Sequence, residues 1–502
     1  MSMENLQKIK TSKSGEPATC LVTGATGYIG GRLVRELLKA GYKVKVLARF
    51  PDRLRDMPWI HQVEVVAGDA LDENSIIQAM NNVDVVYYLL HALNQGPEFV
   101  EIETKMAQIF ANSTKQKNVQ KIIYLGGLIP SQKLSQHLES RKITGEILRN
   151  SGVPTIELRA GVVIGSGSAS FEMLRYLSER LPIMITPKWV KTRIQPIAVR
   201  DVLYYLVNAA SLDNEINRSF DIGGPNILTY KDMMNRYCKV AGLRKRIIIP
   251  VPLLTPKLSS HWVSFVTPVP GSIAKPLVRS LINEVVCKEN DIQQYIPDPE
   301  GGLTDFEKAV ELALMRVKDA QVSTRWSSAQ IPGVPSEPMP SDPQWTGGSL
   351  YEDLQQIEIE TSSHEVWKVV EAIGGEHGYF SLDWAWEIRG IMDRMVGGVG
   401  LRRGRRDPNS LHVGEALDFW RVEERIPDQL LRLRAEMRVP GKAWLEFKIE
   451  EINENKCKLS QRAVFYPKGL AGHAYWWSVI PFHGLVFPGM CKNIAKKALQ
   501  HQ

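Results

Sequence analysis

Three glycines carry the clearest chemistry in this chain. In "CLVTGATGYIGGRL" (20–33), Gly24, Gly27 and Gly30 stand three apart, where an apolar run ends and an i, i+3, i+4 pattern begins. At such a junction Gly24 allows a sharp turn where a Cβ would clash. Gly27 allows close approach of a pyrophosphate, and Gly30 allows tight packing of helix on strand. The following helix then offers unpaired N–H groups and its positive end to the phosphates. A glycine-rich turn without a ligand is the plainer reading of the same letters. The strand before and the helix after favour the cofactor. "VKVLARFPDRL" (44–54) carries Arg49 and Arg53 where sites for NAD place an acid. A guanidinium there suits a 2′-phosphate, so NADP(H) is expected over NAD(H). His91 and His137 titrate near neutrality and could move a proton, or could simply be structural.

Positioning these residues requires a layered sheet. From Thr19 to about Leu212, short apolar runs alternate with amphipathic stretches: "CLVT", "KVKVLA", "VEVVAG", "DVVYYLL", "KIIYLGG" and "TIELRAG" interleave with helical patterns such as 30–41 and 100–118. Alternation of this kind predicts βαβ units and a parallel, Rossmann-like doubly wound sheet, an α/β fold. Continuous apolar runs fit strands covered on both faces.

"VTGATGYIGGRLVRELLKAGYKVKVLAR" resembles the nucleotide-binding opening of the short-chain dehydrogenase/reductase superfamily. The TGxxGxxG spacing is that of its extended and atypical branches, including the NmrA-like proteins. The resemblance runs from about Thr19 to Val317. With the C-terminal half included, the chain is similar to bacterial NAD(P)-binding oxidoreductases fused to a helix-grip (START, or SRPBCC) architecture. It implies a cofactor contact set of Thr23, Gly24, Thr26, Gly27, Tyr28, Ile29 and Gly30 in the loop. Arg49 and Arg53 follow, then Asp69 and Ala70 in "AGDALD", Leu90 and His91 in "LLHAL", and Lys142. It further implies oxidoreductase activity, a hydride passing between NADP(H) and a small or hydrophobic substrate.

The resemblance fails at one place. Most reductases of the superfamily use a Tyr-x-x-x-Lys pair with a nearby serine. In "SQHLESRKITGEIL" (135–148), Lys142 holds the lysine place but Leu138 holds the tyrosine place, and Gly126 and Gly127 stand where a serine is usual. Lys142 and His91 are the remaining catalytic candidates. A non-catalytic NADP(H)-binding sensor or assembly protein is the alternative reading.

The bulk numbers bound the rest. The 502 residues exceed one ordinary core. With 44% apolar and 23% charged residues and a net charge of +7, they describe a globular protein without a nucleic-acid stripe. The five cysteines are scattered without metal spacing, so no metal site is expected and a reducing, cytoplasmic setting is. Expected divisions are a loose tail (1–17), a nucleotide-binding domain (18–320) with a substrate-side lobe (about 214–315), a Pro/Ser-rich linker (321–348) and a second domain (349–502). In the last, an amphipathic helix capped at Ser362 or Ser363 precedes long alternating strands, the first over "LHVGEALDFWRVEERI" (411–426), and a final helix. This order suggests an α+β helix-grip fold with a curved antiparallel sheet. Trp384, Trp386, Phe419, Trp420, Trp444, Phe447, Phe465 and Tyr466, on strand-like or adjacent segments, either line its cavity or form its core. "LRRGRRD" (401–407) is either an anion site or a solvated hairpin. "GLAGHAYWWSVIPFHGLVFPGMC" (469–491) lacks any charge but contains two prolines. A buried helix with peripheral membrane contact is favoured there over a span.

Overall fold

The structure, a computed structural model, describes residues 12, 15–55, 57–92, 98–131, 134–251, 283–322, 349–395 and 411–500. Most of the expected tail, the linker from 323 on and the arginine-rich segment at 401–407 lie outside the described residues. Contacts divide the chain into two compact units, one up to Gly348 and one from Ser349.

In the first unit the elements are β1 (Thr19–Thr23), α1 (Tyr28–Lys39), β2 (Lys43–Ala48), β3 (Glu64–Ala67), α2 (Glu73–Ala79), β4 (Val85–Tyr88), α3 (Phe99–Gln116), β5 (Lys121–Gly127), α4 (Gln136–Arg149), β6 (Thr155–Ala160), α5 (Ala169–Arg180), α6 (Val199–Ala209), β7 (Arg218–Ile222), α7 (Tyr230–Val240) and α8 (Phe306–Val322). The seven strands form one parallel sheet in the order β7-β6-β5-β4-β1-β2-β3. Side chains alternate across it. Val22, Val46, Tyr87 and Leu158 face a core shared with α1 and α6. Leu21, Leu47, Val86 and Ile122 face the opposite core under α2 and α3. This two-sided burial is why the strands read as continuous apolar runs. Strand order reverses between β1 and β4, which opens a crevice at their C-terminal ends. A third core gathers α5, α7 and α8 around Phe171, Met233, Tyr237 and Val310.

The second unit runs β8 (Tyr351–Ile359), α9 (Ser363–Glu371), α10 (Asp383–Met395), β9 (Ala416–Leu417), β10 (Trp420–Ile426), β11 (Leu430–Ala435), β12 (Gly441–Asn453), β13 (Lys456–Pro467) and α11 (Gly469–Gln500). Its six strands form an antiparallel sheet in the order β8-β13-β12-β11-β10-β9. The Ser362 hydroxyl caps α9, accepting from the Glu365 N–H at 3.4 Å. Buried Arg432 donates to Glu424 on β10 at 2.6 Å and to Glu446 on β12 at 2.8 and 2.9 Å, which ties three strands in register. Helix α11 packs on β8, β13 and α9.

Two sequence expectations need correction. The run 411–426 is not one strand. Asp418 turns back at φ +51°, and Leu417 pairs with Trp420 across a two-residue hairpin. The Asp418 carboxylate accepts from the Gly375 N–H at 3.1 Å and the Tyr379 hydroxyl at 2.9 Å, which holds the turn. Trp384 and Trp386 lie on helix α10 rather than beside a strand. No helix among the described residues is long and apolar enough to cross a membrane.

Candidate functional site

The β1–α1 loop is built around its glycines. Gly24 sits at φ +67°, and a Cβ there would stand 2.7 Å from the Leu89 carbonyl oxygen at the end of β4. A Cβ on Gly30 would fall onto the Gly24 carbonyl. Both positions therefore require glycine for the protein's own packing. Gly27 differs. It is exposed, and a Cβ there meets only its own loop, at 3.1 Å from the Gly24 oxygen. Gly27 is also the N-cap of α1, with no side-chain cap and no acid in the first turn. The first N–H groups of the helix are thus left for an anion, and the space that Gly27 leaves open fits the close approach of a pyrophosphate. Thr23 is fully buried. Its hydroxyl donates to the Tyr87 carbonyl and accepts from the Leu89 N–H, both at 2.9 Å, and so holds β1 to β4. Thr26, Tyr28 and Ile29 are half-buried along the loop.

At the end of β2, Arg49 and Arg53 both stack on the ring of Phe50, at 4.9 and 5.0 Å from its centroid. Arg49 Nη1 lies 3.9 Å from Asp69 Oδ2, so two residues expected at the nucleotide are brought together. Asp69 Oδ1 accepts from the Leu71 N–H at 3.0 Å. Ala70 and Leu90 pack on one small cluster with Ala92, Phe99 and Met106.

His91, just after β4, meets a buried acid that the sequence reading missed. Its Nδ1 bonds Glu103 Oε1 on α3, which also accepts from the Ala92 N–H at 2.9 Å. The second Glu103 oxygen accepts from the Ser140 hydroxyl on α4. Burial raises the Glu103 pKa, but the bonds from His91 and Ser140 and the charge of Arg141 outweigh it and leave the pKa at about 2. Burial and then Arg141 lower His91 to about 4, against the pull of Glu103. Near neutral pH the pair is therefore a carboxylate and a neutral imidazole, with the proton on Nδ1 and a lone pair on Nε2. His137 stacks on His91 with ring centroids 5.3 Å apart, and burial lowers its pKa to about 3. His137 Nδ1 is buried with no hydrogen-bond partner among the described residues.

Lys142 stands apart from this network, with its Nζ 3.9 Å from Glu146 Oε1 along the same helix. Leu138 is buried and packs on Gly127 at the end of β5. Glu103 was visible only indirectly. It is an acid on the apolar stripe Phe99–Glu103–Met106–Phe110, a core position that an unpaired carboxylate does not take. Ser140 sits likewise on the buried stripe Ser140–Thr144–Leu148.

The second unit holds an apolar pocket of about 690 Å³, lined by Trp386, Trp420, Trp444 and Phe465 and by Trp476, His483 and Phe487 of α11. Phe419 and Phe447 belong to the core. Among the described residues no group of His, Cys, Asp and Glu could hold a metal.

Residues 24–161 match the NAD(P)H-binding family, and residues 345–490 match DUF2867, a family described as protein of unknown function. Mitochondrial NADH dehydrogenase (ubiquinone) 1 alpha subcomplex subunit 9 from Mus musculus is 27% identical over 335 residues, which is 64% of this chain and 85% of that protein. Photosystem II assembly factor Ycf39 from Cyanophora paradoxa is 24% identical over 242 residues, 47% of this chain and 72% of that protein. Among solved structures, triphenylmethane reductase from Citrobacter sp. complexed with NADP(H) matches 59% of this chain and 100% of its own, with 18% identity and a TM-score of 0.48. The first unit thus carries an NAD(P)H-binding domain over residues 24–161, and a DUF2867 domain is fused to it.

Proposed function

We propose that the first unit is an NADP(H)-dependent oxidoreductase acting on a small or hydrophobic substrate, with His91 handling the proton and Glu103 positioning it. The observation that carries this reading is the His91–Glu103–Ser140 network directly after β4, beside the glycine loop. The bound nicotinamide supplies or takes up the hydride. The chain's own part is to hold the cofactor and move the proton. The N–H groups at the start of α1 meet the pyrophosphate, and Arg49 and Arg53 meet the 2′-phosphate. Glu103 fixes the His91 tautomer through Nδ1, which leaves Nε2 to accept the hydroxyl proton of an alcohol as its hydride departs. In the reverse direction the imidazolium returns that proton to the carbonyl oxygen. The imidazolium becomes more abundant as pH falls toward about 4. The second unit, read as helix-grip in type, holds or presents that substrate.

A second reading has its own support. Leu138 against Gly127 makes an apolar contact where most relatives in the superfamily carry tyrosine and serine hydroxyls. The mouse and Cyanophora relatives are named as a dehydrogenase subunit and an assembly factor. A non-catalytic NADP(H)-binding protein would need only the loop.

The test is to follow NADPH oxidation with a panel of ketones, quinones and enals, comparing the wild type with His91→Gln. Turnover that drops by about 10²-fold or more in the variant supports the enzyme. Tight NADPH binding without turnover on any class leaves the second reading.

A further inference from the structure

Helix α11 has two unlike faces. One is buried on the sheet through Trp476, Val486, Phe487, Met490 and Ile494. The other is exposed, and for most of its length it carries no charge. A helix turns by about 100° per residue. Leu470, Ala474, Trp477, Pro481 and Leu485 therefore follow one stripe, with Phe482 beside it. Leu470 is 52% exposed, Trp477 65%, Phe482 57% and Leu485 68%. Lys468 precedes this stripe, and Lys492 and Lys496 continue the same side, all three exposed. No Asp or Glu occurs from 469 to 500.

Helix α10 repeats the pattern. Trp384, Ile388, Ile391 and Met395 recur at i, i+4, i+7 and i+11 and are 55%, 48%, 42% and 80% exposed. Glu387, at i+3 from Trp384, is exposed on the same side. The two helices meet at the apolar pocket, whose lining includes the exposed Trp384, Ile388 and Phe482. Apolar surface of this kind is costly in water and marks an interaction site. The residue types name the occupant. On α11, tryptophan and phenylalanine on an uncharged face, bracketed by lysines and free of carboxylates, match an interfacial helix on negatively charged lipid. The buried face of α11 is committed to the protein core, so the helix lies along a surface and does not cross it.

We propose that this face of the second unit docks on an anionic lipid bilayer. Trp384, Trp477, Phe482 and Leu485 enter the headgroup region, and Lys468, Lys492 and Lys496 meet the lipid phosphates. The apolar pocket then opens toward the lipid. The proposal does not depend on nucleotide binding by the first unit.

The test is co-sedimentation of the full chain with sucrose-loaded vesicles of phosphatidylcholine, with and without phosphatidylglycerol. The expected result is binding to the phosphatidylglycerol vesicles that weakens in high salt. The combined variant Trp477→Asp, Phe482→Asp, Leu485→Asp should bind at least about tenfold more weakly. The variant Lys492→Glu, Lys496→Glu should lose the preference for anionic lipid. All five side chains are exposed, and circular dichroism with a thermal melt checks that each variant is folded. Failure of the wild type to bind either vesicle overturns the proposal, as does undiminished binding of the folded triple-Asp variant. A dimer that the triple-Asp variant dissociates, without any vesicle binding, also overturns it and makes the face a contact between copies.

Discussion

Leu138 packs directly on Gly127: a Cβ built on the glycine would stand 3.3 Å from Leu138 Cδ2. The contact joins α4 to the end of β5 and fills with hydrocarbon the place where the resemblance to short-chain reductases would put hydroxyls. Gly126 is closed in another way, since a Cβ there would stand 2.9 Å from Glu157 Oε1. The proposed oxidoreductase reading therefore assigns the proton to His91 with Glu103, just after β4. Because Leu138 is buried, Leu138→Ala should cost about 2–5 kcal/mol of stability, read by urea denaturation, while NADPH affinity is retained. An unchanged midpoint would contradict the packing role.

The glycines of the loop should separate by substitution. Gly27→Asp puts a carboxylate where a pyrophosphate is expected, and its Cβ presses only on the Gly24 oxygen, at 3.1 Å. Dinucleotide affinity should drop by more than about tenfold with little change in melting temperature. Gly30→Ala drives a Cβ into the Gly24 carbonyl and should destabilise the fold by about 1–3 kcal/mol. Calorimetric titration and thermal melts on both variants check the contrast. Equal effects on binding and stability at the two positions would contradict it.

Arg49 governs the proposed choice of cofactor. In Arg49→Asp a second carboxylate joins Asp69, which lies 3.9 Å from the native guanidinium. The NADPH-to-NADH affinity ratio should fall by about tenfold or more. A ratio that stays put makes Arg49 a bystander.

Acid should destabilise the fold in a defined window. The folded pKa values of about 4 for His91 and His483 and about 3 for His137 lie below the ordinary histidine value of about 6.5. Burial is the first cause in each. At His483 the charge of Arg389 adds to it, and Asp353 at 3.6 Å opposes it. As pH falls below about 6.5, the unfolded chain takes up protons that the native state refuses, so stability declines toward the folded values. The Glu103 pKa is also depressed, to about 2. Its contribution is full above the unfolded carboxylate value and is lost as pH falls through about 2. The melting temperature should therefore drop steadily from pH 7 to pH 4, less steeply in His137→Gln. A flat profile would contradict these assignments.

Arg432 is the electrostatic pivot of the antiparallel sheet. Arg432→Ala would strand Glu424 and Glu446 as buried, uncompensated carboxylates and should cost about 3–5 kcal/mol. Chemical denaturation reads this directly, and a loss under about 1 kcal/mol would contradict it.

Much of this was legible in the letters. The parallel sheet follows from apolar runs alternating with helical patterns, and the loop follows from glycines at a strand-to-helix junction. The signals that failed were local ones overridden by tertiary contacts. "LDWAWEI" alternates like a strand, yet Trp386 is buried in the core while Trp384 is exposed, both from one helix. The hairpin at Asp418 depends on a bond from Tyr379, 39 residues away, which no local pattern carries. Glu103 and Ser140 belong to no motif, and only their places on buried helical stripes set them apart.

The most direct test of the account is calorimetric titration of the full chain with NADPH and with NADH. Saturable NADPH binding, tighter than NADH and lost in Gly27→Asp, is the predicted result. Absence of saturable binding by either nucleotide, or binding indifferent to Gly27→Asp, would contradict it.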